Sequence, residues 1–519
     1  MFTGEDLKDP YVSDSAVVVS RGASYLTLQT VVTTIAQVVT FAILARIITT
    51  SEVGILAILS LITALCQAIN GSAFQQATIK YVGEFTGDRE ELAAGVFYQT
   101  LRISLIWSLP IAAFIFLGSG LLAQSLTGTL AWQSSFNVLA IDVLAYSGVL
   151  PVAIGGVLGM KRFKVASMIG IGGAVLRQVL IILLILFMRN FVGLAYAWAF
   201  SDYAMLAAYG LYVVRILHPS KGLFPLRKLL AFSWPLSVGN IASFAYSWFD
   251  RGILIAFVSL ASLGVYNAAL TAFAVLGSIS AAFANALLPV YSDIRRRRGL
   301  EGCRMATKLA SRYASLVMVP LSFGLLAIAK PALTLFVGQA YVSGAEPLMI
   351  LSITYALVAF SLGLGPMLVA LSETRFVMGI TLTSVVFGIA SAYILLPFTG
   401  IIGASIARGV ALVVSVGLTL FVLRKGGAMS IDIEAVWKSL VAGAVMAIVL
   451  VAMQLVIYSR LFFPLYVLIG AVVYVMLLRG LNAVRKHDIE LIEKYLGPRL
   501  SRAATLLKVI LISASESES

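Results

Sequence analysis

The chain has 519 residues, of which 60% are hydrophobic and only 12% charged, and its mean hydropathy is +1.00. A soluble protein carries about 25% charged residues, so this composition excludes an ordinary soluble globular protein and indicates one integral membrane unit. The formal net charge of +14 also suits nucleic-acid binding, but positive residues on the cytoplasmic rim of a membrane protein explain it more simply.

Fourteen apolar stretches follow one another along the chain and are separated by short linkers. Each is near the roughly 20 residues that a membrane-spanning helix needs. Because the bilayer core offers no water to the backbone, we expect each stretch to form a helix that satisfies its own hydrogen bonds. The predicted spans are 23–48, 54–79, 96–117, 136–158, 166–187, 192–214, 229–258, 264–289, 313–335, 348–371, 376–396, 401–423, 437–457 and 462–478.

Lysine and arginine are concentrated in alternate linkers, as the positive-inside rule describes for cytoplasmic loops. With these spans, about thirty basic residues fall on one side of the membrane and about four on the other. Those four are Arg46, Arg189, Lys330 and Arg460. The bias predicts a multi-pass protein of the cell membrane (plasma or inner membrane) with both termini in the cytoplasm.

A shift of about 210 residues brings two halves of the chain into register, which indicates an internal repeat. Residues 52–55 fall on 262–265, and Gly193 falls on Gly403. Each repeat holds six spans, so both halves enter the membrane in the same orientation, and their pseudo-two-fold axis is predicted to follow the membrane normal. Transporters built in this way bind substrate where the halves meet and rock one half against the other.

The repeat divides the chain into five predicted segments. A cytoplasmic segment at 1–22 precedes an N-lobe of helices 1–6 at 23–215 and a C-lobe of helices 7–12 at 216–424. Helices 13 and 14, at 425–480, lie outside the repeat. The tail at 481–519 has two open interpretations, an amphipathic helix on the membrane surface or a disordered segment in solvent. The predicted fold class is an all-α integral membrane protein with about fourteen transmembrane helices.

Several short motifs resemble a known transporter family. The sequence FAILAR at 41–46, followed by SEVG at 51–54, resembles the first-turn signature of the polysaccharide transporter (oligosaccharide flippase) family. That family belongs to the multidrug/oligosaccharidyl-lipid/polysaccharide (MOP) exporter superfamily. The sequence LGVYNA at 263–268 resembles a common form of the same signature, and LFVGQAY at 335–341 resembles the family's loop before the tenth span.

This resemblance implies a flippase that moves an oligosaccharide linked to polyprenyl phosphate or pyrophosphate from the cytoplasmic to the outer leaflet, for polysaccharide or glycan assembly. It also implies a V-shaped, two-lobed bundle with a hydrophilic, often cationic cavity. The expected partners are the lipid-linked oligosaccharide, membrane lipids, and glycosyltransferases or a polymerase of the same pathway. We expect a monomer that binds no nucleic acid.

Ionisable residues inside membrane spans are costly and usually mark a transport pathway. Asp250 and Arg251 lie near the middle of the seventh span. A guanidinium at that depth can hold a phosphate through two parallel hydrogen bonds, which a lysine cannot do. Asp250 is a candidate either to tune Arg251 or to bind a proton or sodium ion. A buried structural ion pair between helices is the alternative for both residues.

Three further arginines are candidate substrate-binding residues. Arg21 lies at the inner mouth of the first span, where it is either a diphosphate contact or a positive-inside anchor. Arg177 and Arg408 lie deeper, in the fifth and twelfth spans, and each belongs either to the cavity or to a network inside its lobe. Asp142 and Asp202 are the expected partners of these arginines in the N-lobe.

Polar side chains at helical spacing mark two spans as possible walls of the cavity. On the first span Gln29 and Gln37 lie on one face together with Thr33 and Thr34, and on the seventh span Asn240 has the same relation to Ser243 and Ser247. We expect these faces to contact water and sugar hydroxyls, although serine and threonine also join helices inside membranes.

Other functional classes fit less well. No P-loop is present in the sequence, which argues against ATP-driven transport by this chain alone. A multidrug or organic-cation antiporter of the same superfamily is the alternative, but it predicts an acidic lumen. A membrane glycosyltransferase would need carboxylates on large outer loops, and the outer linkers are short and poor in acids. We therefore expect a transporter, not an enzyme, with no cofactor or metal site, and with Na⁺ or H⁺ coupling left open.

Overall fold

A computed structural model describes residues 10–87, 89–219 and 224–483, with side chains at residue 22 and from residue 24 onward. Helices form most of this part of the chain, and no strand occurs in it. The first ten helices are α1 (Pro10–Ile47), α2 (Thr50–Cys66), α3 (Ser72–Phe85), α4 (Glu90–Leu117), α5 (Ser119–Thr127), α6 (Gln133–Val143), α7 (Leu150–Gly159), α8 (Phe163–Met188), α9 (Val192–Ile216) and α10 (Leu226–Leu254). The remaining eight are α11 (Leu260–Ala327), α12 (Ala329–Phe336), α13 (Ala345–Val358), α14 (Leu364–Ala370), α15 (Thr374–Thr399), α16 (Ile401–Lys425), α17 (Ile433–Val456) and α18 (Phe463–Gly480).

Two helical rods are interrupted by π-helical turns. The first π turn, Gln67–Gly71, joins α2 to α3, and the second, Leu144–Val149, joins α6 to α7. A π turn widens the helix locally and occurs often at functional sites. The two turns pack against each other in the structure.

Eleven helical segments of the described residues are long and apolar enough to cross a membrane. One of them, α11, has 68 residues and a backbone break at Gly299 (φ 58°), so it supplies two of the predicted spans. α9 and α10 are long enough, at 25 and 29 residues, but polar residues such as Asp202, Asp250 and Arg251 make them less apolar. With these additions the helices match the fourteen predicted spans, and the all-α membrane fold is confirmed.

The described residues divide into two compact units, one ending at Gly264 and the other beginning at Val265. α10, which is helix 7 of the predicted C-lobe, belongs to the first unit by its contacts, where it packs against α2, the first π turn and α3. The two units are divided by contacts, whereas the predicted lobes are divided by the sequence repeat. The lobe boundary at 215/216 therefore stays a prediction. The structure describes only the first three residues of the predicted tail at 481–519, and the rest, from 484 onward, lies outside the described residues.

A reciprocal helix contact joins α2 to the start of α11 inside the first unit. Thr49 caps α2 in a capping box, in which its hydroxyl accepts from the Glu52 N–H and the Glu52 carboxylate accepts from the Thr49 N–H at 2.7 Å. A β-carbon on Gly54 would collide with the Leu260 carbonyl, and one on Gly264 with the Thr50 carbonyl. The offset that maps Gly54 onto Gly264 also maps Thr50 onto Leu260, which is the pairing that a pseudo-two-fold repeat predicts.

In the second unit, a buried ion pair holds α17 and the end of α18 against α11. Arg312 Nη1 lies 3.3 Å from Asp432 Oδ2, and its Nη2 donates to the Ala483 carbonyl at 2.9 Å. The Asp432 carboxylate also caps α17 by accepting from the Ala435 N–H at 3.2 Å. The two helices outside the predicted repeat are therefore packed into this unit and not appended loosely.

Candidate functional site

A polar cavity of about 300 Å³ lies within the first unit. Its walls come from the end of α2, both π turns, the start of α3 and one face of α10. This volume is at the lower end of the range of about 300–1,000 Å³ that is usual for ligand pockets. Its polar and aromatic lining includes Gln67, Ser72, Tyr146, Asn240, Ser247 and Trp248.

One face of α10 supplies half of this lining. The cavity residues Asn240, Ser243, Phe244, Ser247 and Trp248 recur at three- and four-residue intervals, which places them on one side of a helix. The Phe244 and Trp248 rings are stacked, with centroids 6.3 Å apart and planes inclined by 20°. The face thus combines short polar side chains with an extended aromatic surface.

Arg251 continues the same face by one position. Its guanidinium carbon lies 3.4 Å from the centroid of the Trp248 ring, which is a close cation–π contact. Its Nη2 donates to the Ser247 carbonyl at 3.1 Å, and the residue is half-buried. The arginine therefore borders the cavity and presents a planar cation beside its aromatic wall.

The π turns are held by hydrogen bonds from buried polar side chains. Asn70 Nδ2 donates to the carbonyls of Ser104 (3.2 Å) and Ser147 (3.1 Å), and Ser104 Oγ donates to the Gly148 carbonyl at 2.7 Å. A β-carbon on Gly148 would lie 2.6 Å from Ser108 Oγ, so the second turn needs glycine to approach α4. These bonds fix the backbone that carries Gln67 and Tyr146 into the cavity wall.

Two of the lining side chains carry an unsatisfied polar atom that is buried behind the cavity surface. Gln67 Oε1 and Asn240 Nδ2 are buried and have no hydrogen-bond partner within the described part of the chain. Buried polar atoms are nearly always paired in folded proteins, because an unpaired one costs about 1–3 kcal/mol. One atom is an acceptor and the other a donor, and neither is accessible from the cavity in this conformation.

A cluster of ionisable residues lies behind the cavity in the same unit. Arg177 Nη2 on α8 pairs with Asp202 Oδ2 on α9 at 2.7 Å, and the Asp202 side chain is only 1% exposed. Asp142 on α6 is fully buried beside both groups. The Arg177 guanidinium carbon is also 5.6 Å from the Tyr146 ring centroid and 5.3 Å from that of Trp198. The prediction that Asp202 is a partner of Arg177 is confirmed.

Tyr146 connects this ionic cluster to the cavity. It lines the cavity and is also one of the two aromatic rings that contact Arg177. Because it lies in the second π turn, a small change in that turn would alter both the cavity wall and the surroundings of the arginine.

The other predicted site residues on α1 occupy different positions. Arg21 lies in α1, ahead of the side chains that the structure describes. Gln29 faces α8, since a β-carbon at Gly170 would collide with its amide. Gln37 is exposed on the same helix. None of the three has been tested as a binding residue, and their roles stay predictions.

Asp250 and Arg408 complete the predicted set. Asp250 is fully buried, and its Oδ1 accepts from the Arg251 N–H at 2.8 Å. Arg408 is half-buried in α16 and belongs to the second unit. Of the eight predicted residues, Asn240 lines the cavity, Arg251 borders it, and Arg177 contacts it through Tyr146.

Three residues at the site, Gln67, Tyr146 and Trp248, were not predicted from the sequence. Trp248 follows the spacing of Asn240 and Ser247 and could have been found by extending that stripe to aromatic residues. Nothing in the local sequence indicates Gln67 or Tyr146, because their place in the wall depends on two π turns and on which helices pack together.

The sequence is similar to proteins of polysaccharide and glycan biosynthesis. The sequence profile of the family described as "Polysaccharide biosynthesis protein" matches residues 43–346. A succinoglycan biosynthesis transport protein of Rhizobium meliloti, ExoT, is 25% identical over 63% of this chain and 64% of its own length. A probable low-salt glycan biosynthesis flippase of Haloferax volcanii, Agl15, is 24% identical over 36% of this chain and 40% of its own length. The chain thus spans less than two thirds of either relative.

Solved structures share the fold at low sequence identity. The lipid II flippase MurJ in an inward closed conformation aligns with a TM-score of 0.66 and 14% identity, over 87% of this chain and 97% of that one. An inward-facing multidrug resistance MATE family transporter of the MOP superfamily aligns with a TM-score of 0.67 and 16% identity, over 78% and 98%. These likenesses show the fold alone.

Proposed function

Since the chain belongs to the polysaccharide biosynthesis protein family, we propose that it is a flippase for a lipid-linked oligosaccharide. It moves a saccharide on polyprenyl phosphate or pyrophosphate from the cytoplasmic to the outer leaflet for polysaccharide or glycan assembly. The names of its two curated relatives, a glycan biosynthesis flippase and a succinoglycan transport protein, support this class of substrate. The working mechanism is alternating access, as for transporters with parallel repeats.

The chemistry of the cavity wall is the observation that carries this proposal. Sugar hydroxyls both donate and accept hydrogen bonds, and the amide and hydroxyl side chains of the lining residues Gln67, Ser72 and Asn240 offer both kinds of group. The Phe244–Trp248 stack offers flat apolar faces to a sugar ring. The Arg251 guanidinium beside them suits a phosphate through bidentate hydrogen bonds.

The remaining parts of the proposal follow from the sequence. The bias of basic linkers supports cytoplasmic termini in the plasma or inner membrane. A flippase of this kind works on membrane lipids beside the glycosyltransferases or polymerase of its pathway, functions as a monomer, and needs neither a catalytic site nor a cofactor.

A multidrug or organic-cation antiporter is the rival function, and the MATE likeness in fold is compatible with it. The cavity wall favours the flippase, because Arg251 places a positive charge beside Trp248. A site for cationic drugs would gain from carboxylates there and would lose affinity through this like charge.

The test is to delete the gene in its native cell and to identify the accumulated lipid-linked saccharide by mass spectrometry, then to restore the gene as wild type or variant. Trp248→Ala and Arg251→Ala should each reduce outer-leaflet glycolipid about tenfold, since a lost stacking or cation–π contact of about 1.4 kcal/mol corresponds to that factor. Trp234→Ala is the matched control, because Trp234 lies on the same helix, is 73% exposed and does not line the cavity.

Arg251→Lys separates charge from geometry. A lysine keeps the positive charge but not the bidentate fork, so it should restore only part of the export. Full export by both alanine variants at wild-type expression would refute the proposed site. A deletion strain with normal glycolipid and increased sensitivity to cationic drugs would favour the antiporter.

A further inference from the structure

Asp142 is a buried carboxylate without a conventional partner. It is fully buried on α6, and neither carboxylate oxygen has a hydrogen-bond partner within the described residues. Ordinary packing does not leave such a group in the middle of a helical bundle, because an ionised carboxylate there loses its hydration and gains nothing in exchange. The surroundings of Asp142 must therefore compensate its charge in another way.

The groups that face Asp142 come from three neighbouring elements. α9 contributes Asp202 and Tyr203, α8 contributes Arg177, and the second π turn contributes Tyr146. Tyr203 already donates its hydroxyl to the Ile141 carbonyl at 3.0 Å. Arg177 directs its Nη2 to Asp202 at 2.7 Å. The single guanidinium is thus committed to Asp202, and Asp142 meets a second carboxylate instead.

The charges in this cluster do not balance. Two carboxylates and one guanidinium leave one excess negative charge where Asp142 is 0% and Asp202 only 1% exposed. α6 packs against α9, and the Asp142 carboxylate faces that of Asp202, but two ionised carboxylates have no hydrogen to share. A single proton removes both problems, since it neutralises the excess charge and bridges the two oxygens, as in other closely spaced carboxylate pairs.

We propose that Asp142 and Asp202 form a proton-binding site that holds one exchangeable proton between α6 and α9. A sodium ion fits this place less well, because Arg177 already occupies the Asp202 oxygen as the competing cation. No group of three or more acidic, histidine or cysteine ligands exists in the described part of the chain.

The site is placed to influence the cavity. Tyr146 contacts Arg177 on one side and lines the cavity on the other. Loss of the proton would strengthen the attraction of the two carboxylates for Arg177 and so change the contact between its guanidinium and the Tyr146 ring. The existence of the proton site does not depend on the proposed flippase activity, whereas its use in transport does.

Infrared difference spectroscopy of the full-length protein in lipid nanodiscs can count the buried protons. The carbonyl stretch of a protonated carboxylic acid is separate from that of a carboxylate, and charge balance gives one protonated group in the wild type. Asp142→Asn and Asp202→Asn each leave one carboxylate opposite Arg177, so the band should vanish in both. Arg177→Gln leaves two carboxylates without a cation, so the band should double in intensity.

Asp293→Asn is the matched control, because Asp293 pairs with Arg296 and Arg297 away from this cluster and should not change the band. A wild-type spectrum without the band overturns the proposal, and so does a band that persists in both asparagine variants. A band that appears only after sodium is removed assigns the site to Na⁺ and also overturns it. The four variants give independent counts, so the loss of one misfolded variant leaves the others decisive.

A transport measurement tests the use of the site. In proteoliposomes that carry a pH gradient, wild-type glycolipid translocation should depend on the gradient, and Asp142→Asn should abolish that dependence. An unchanged dependence in the variant would overturn the role in transport while the flippase activity itself remained measurable. Failure of the proton site is thereby distinguishable from failure of the proposed function.

Discussion

The reciprocal glycine contact between α2 and α11 leads to a sharp prediction about stability. In Gly264→Ala the added methyl would collide with the Thr50 carbonyl oxygen and would lie only 2.8 Å from the Gly54 nitrogen. In Gly54→Ala the methyl would collide with the Leu260 carbonyl oxygen and lie 2.9 Å from its carbon. All of these atoms belong to backbone, so no change of rotamer can relieve the clash.

The expected magnitude comes from two opposing terms. Overpacking in a close-packed contact costs about 1–3 kcal/mol, and a backbone obstacle favours the upper end of that range. Replacing glycine by alanine inside a helix returns about 1 kcal/mol through helix propensity. Each variant should therefore be destabilised by about 2 kcal/mol. The double variant should lose less than the sum, because one separation of the two helices makes room for both methyls.

The measurement is unfolding of the detergent-solubilised protein. Tryptophan fluorescence monitors it as the temperature or the concentration of a denaturing detergent is raised. Gly172→Ala on α8 is the matched control, since a β-carbon there meets no atom within 4 Å, and this variant should match the wild type or exceed it slightly. If Gly54→Ala and Gly264→Ala unfold together with Gly172→Ala, the reasoning from the glycine contact is wrong.

Two further substitutions test the ion pair that holds α17 and the close contact between the second π turn and α4. Arg312→Met should destabilise the protein by about 3–5 kcal/mol, because it leaves the buried Asp432 charge without its cation. Limited proteolysis should then cleave the chain near α17 more readily than in the wild type. Equal protease resistance would contradict this prediction. Gly148→Val should cost about 1–3 kcal/mol because its side chain meets Ser108, and it should weaken glycolipid export beyond its effect on expression; the smaller Ser108→Gly exchange, combined with Gly148→Ala, should recover part of both losses.

The membrane architecture was predictable from the sequence because its cause is local. An apolar run long enough to span the bilayer must satisfy its own backbone, whatever surrounds it. α9 and α10 are not among the eleven segments that composition alone marks as spans, but both were predicted as spans from the sequence. Their polar residues, including Asp202, Asp250 and Arg251, are those that mark the region around the cavity.

The cavity-lining face of α10 was predictable only in part. Asn240, Ser243 and Ser247 were found from their helical spacing, but the search was limited to small polar side chains. Trp248 has the same spacing and forms the platform on which Arg251 rests. Extending the same spacing to aromatic side chains would have selected it.

The structure supports one of the weak sequence matches that indicated the repeat. The match of 52–55 with 262–265 was one of several unspecific correspondences. In the structure, Gly54 and Gly264 contact each other's helices at equivalent positions. The contact explains why both positions are glycine, since only a residue without a β-carbon allows the backbones to approach so closely.

Length, hydropathy and the bias of basic linkers determined that the protein is a helical membrane protein, since each of these properties acts within one segment or between neighbouring segments of the chain. Tertiary structure alone decided which side chains form the cavity and which charges meet. Asp142, Arg177 and Asp202 lie on three helices separated by many residues, and Tyr146 reaches Arg177 from a π turn that no local pattern predicts. The physical reason is that burial and charge balance depend on packing between distant segments, and a linear sequence does not state that packing.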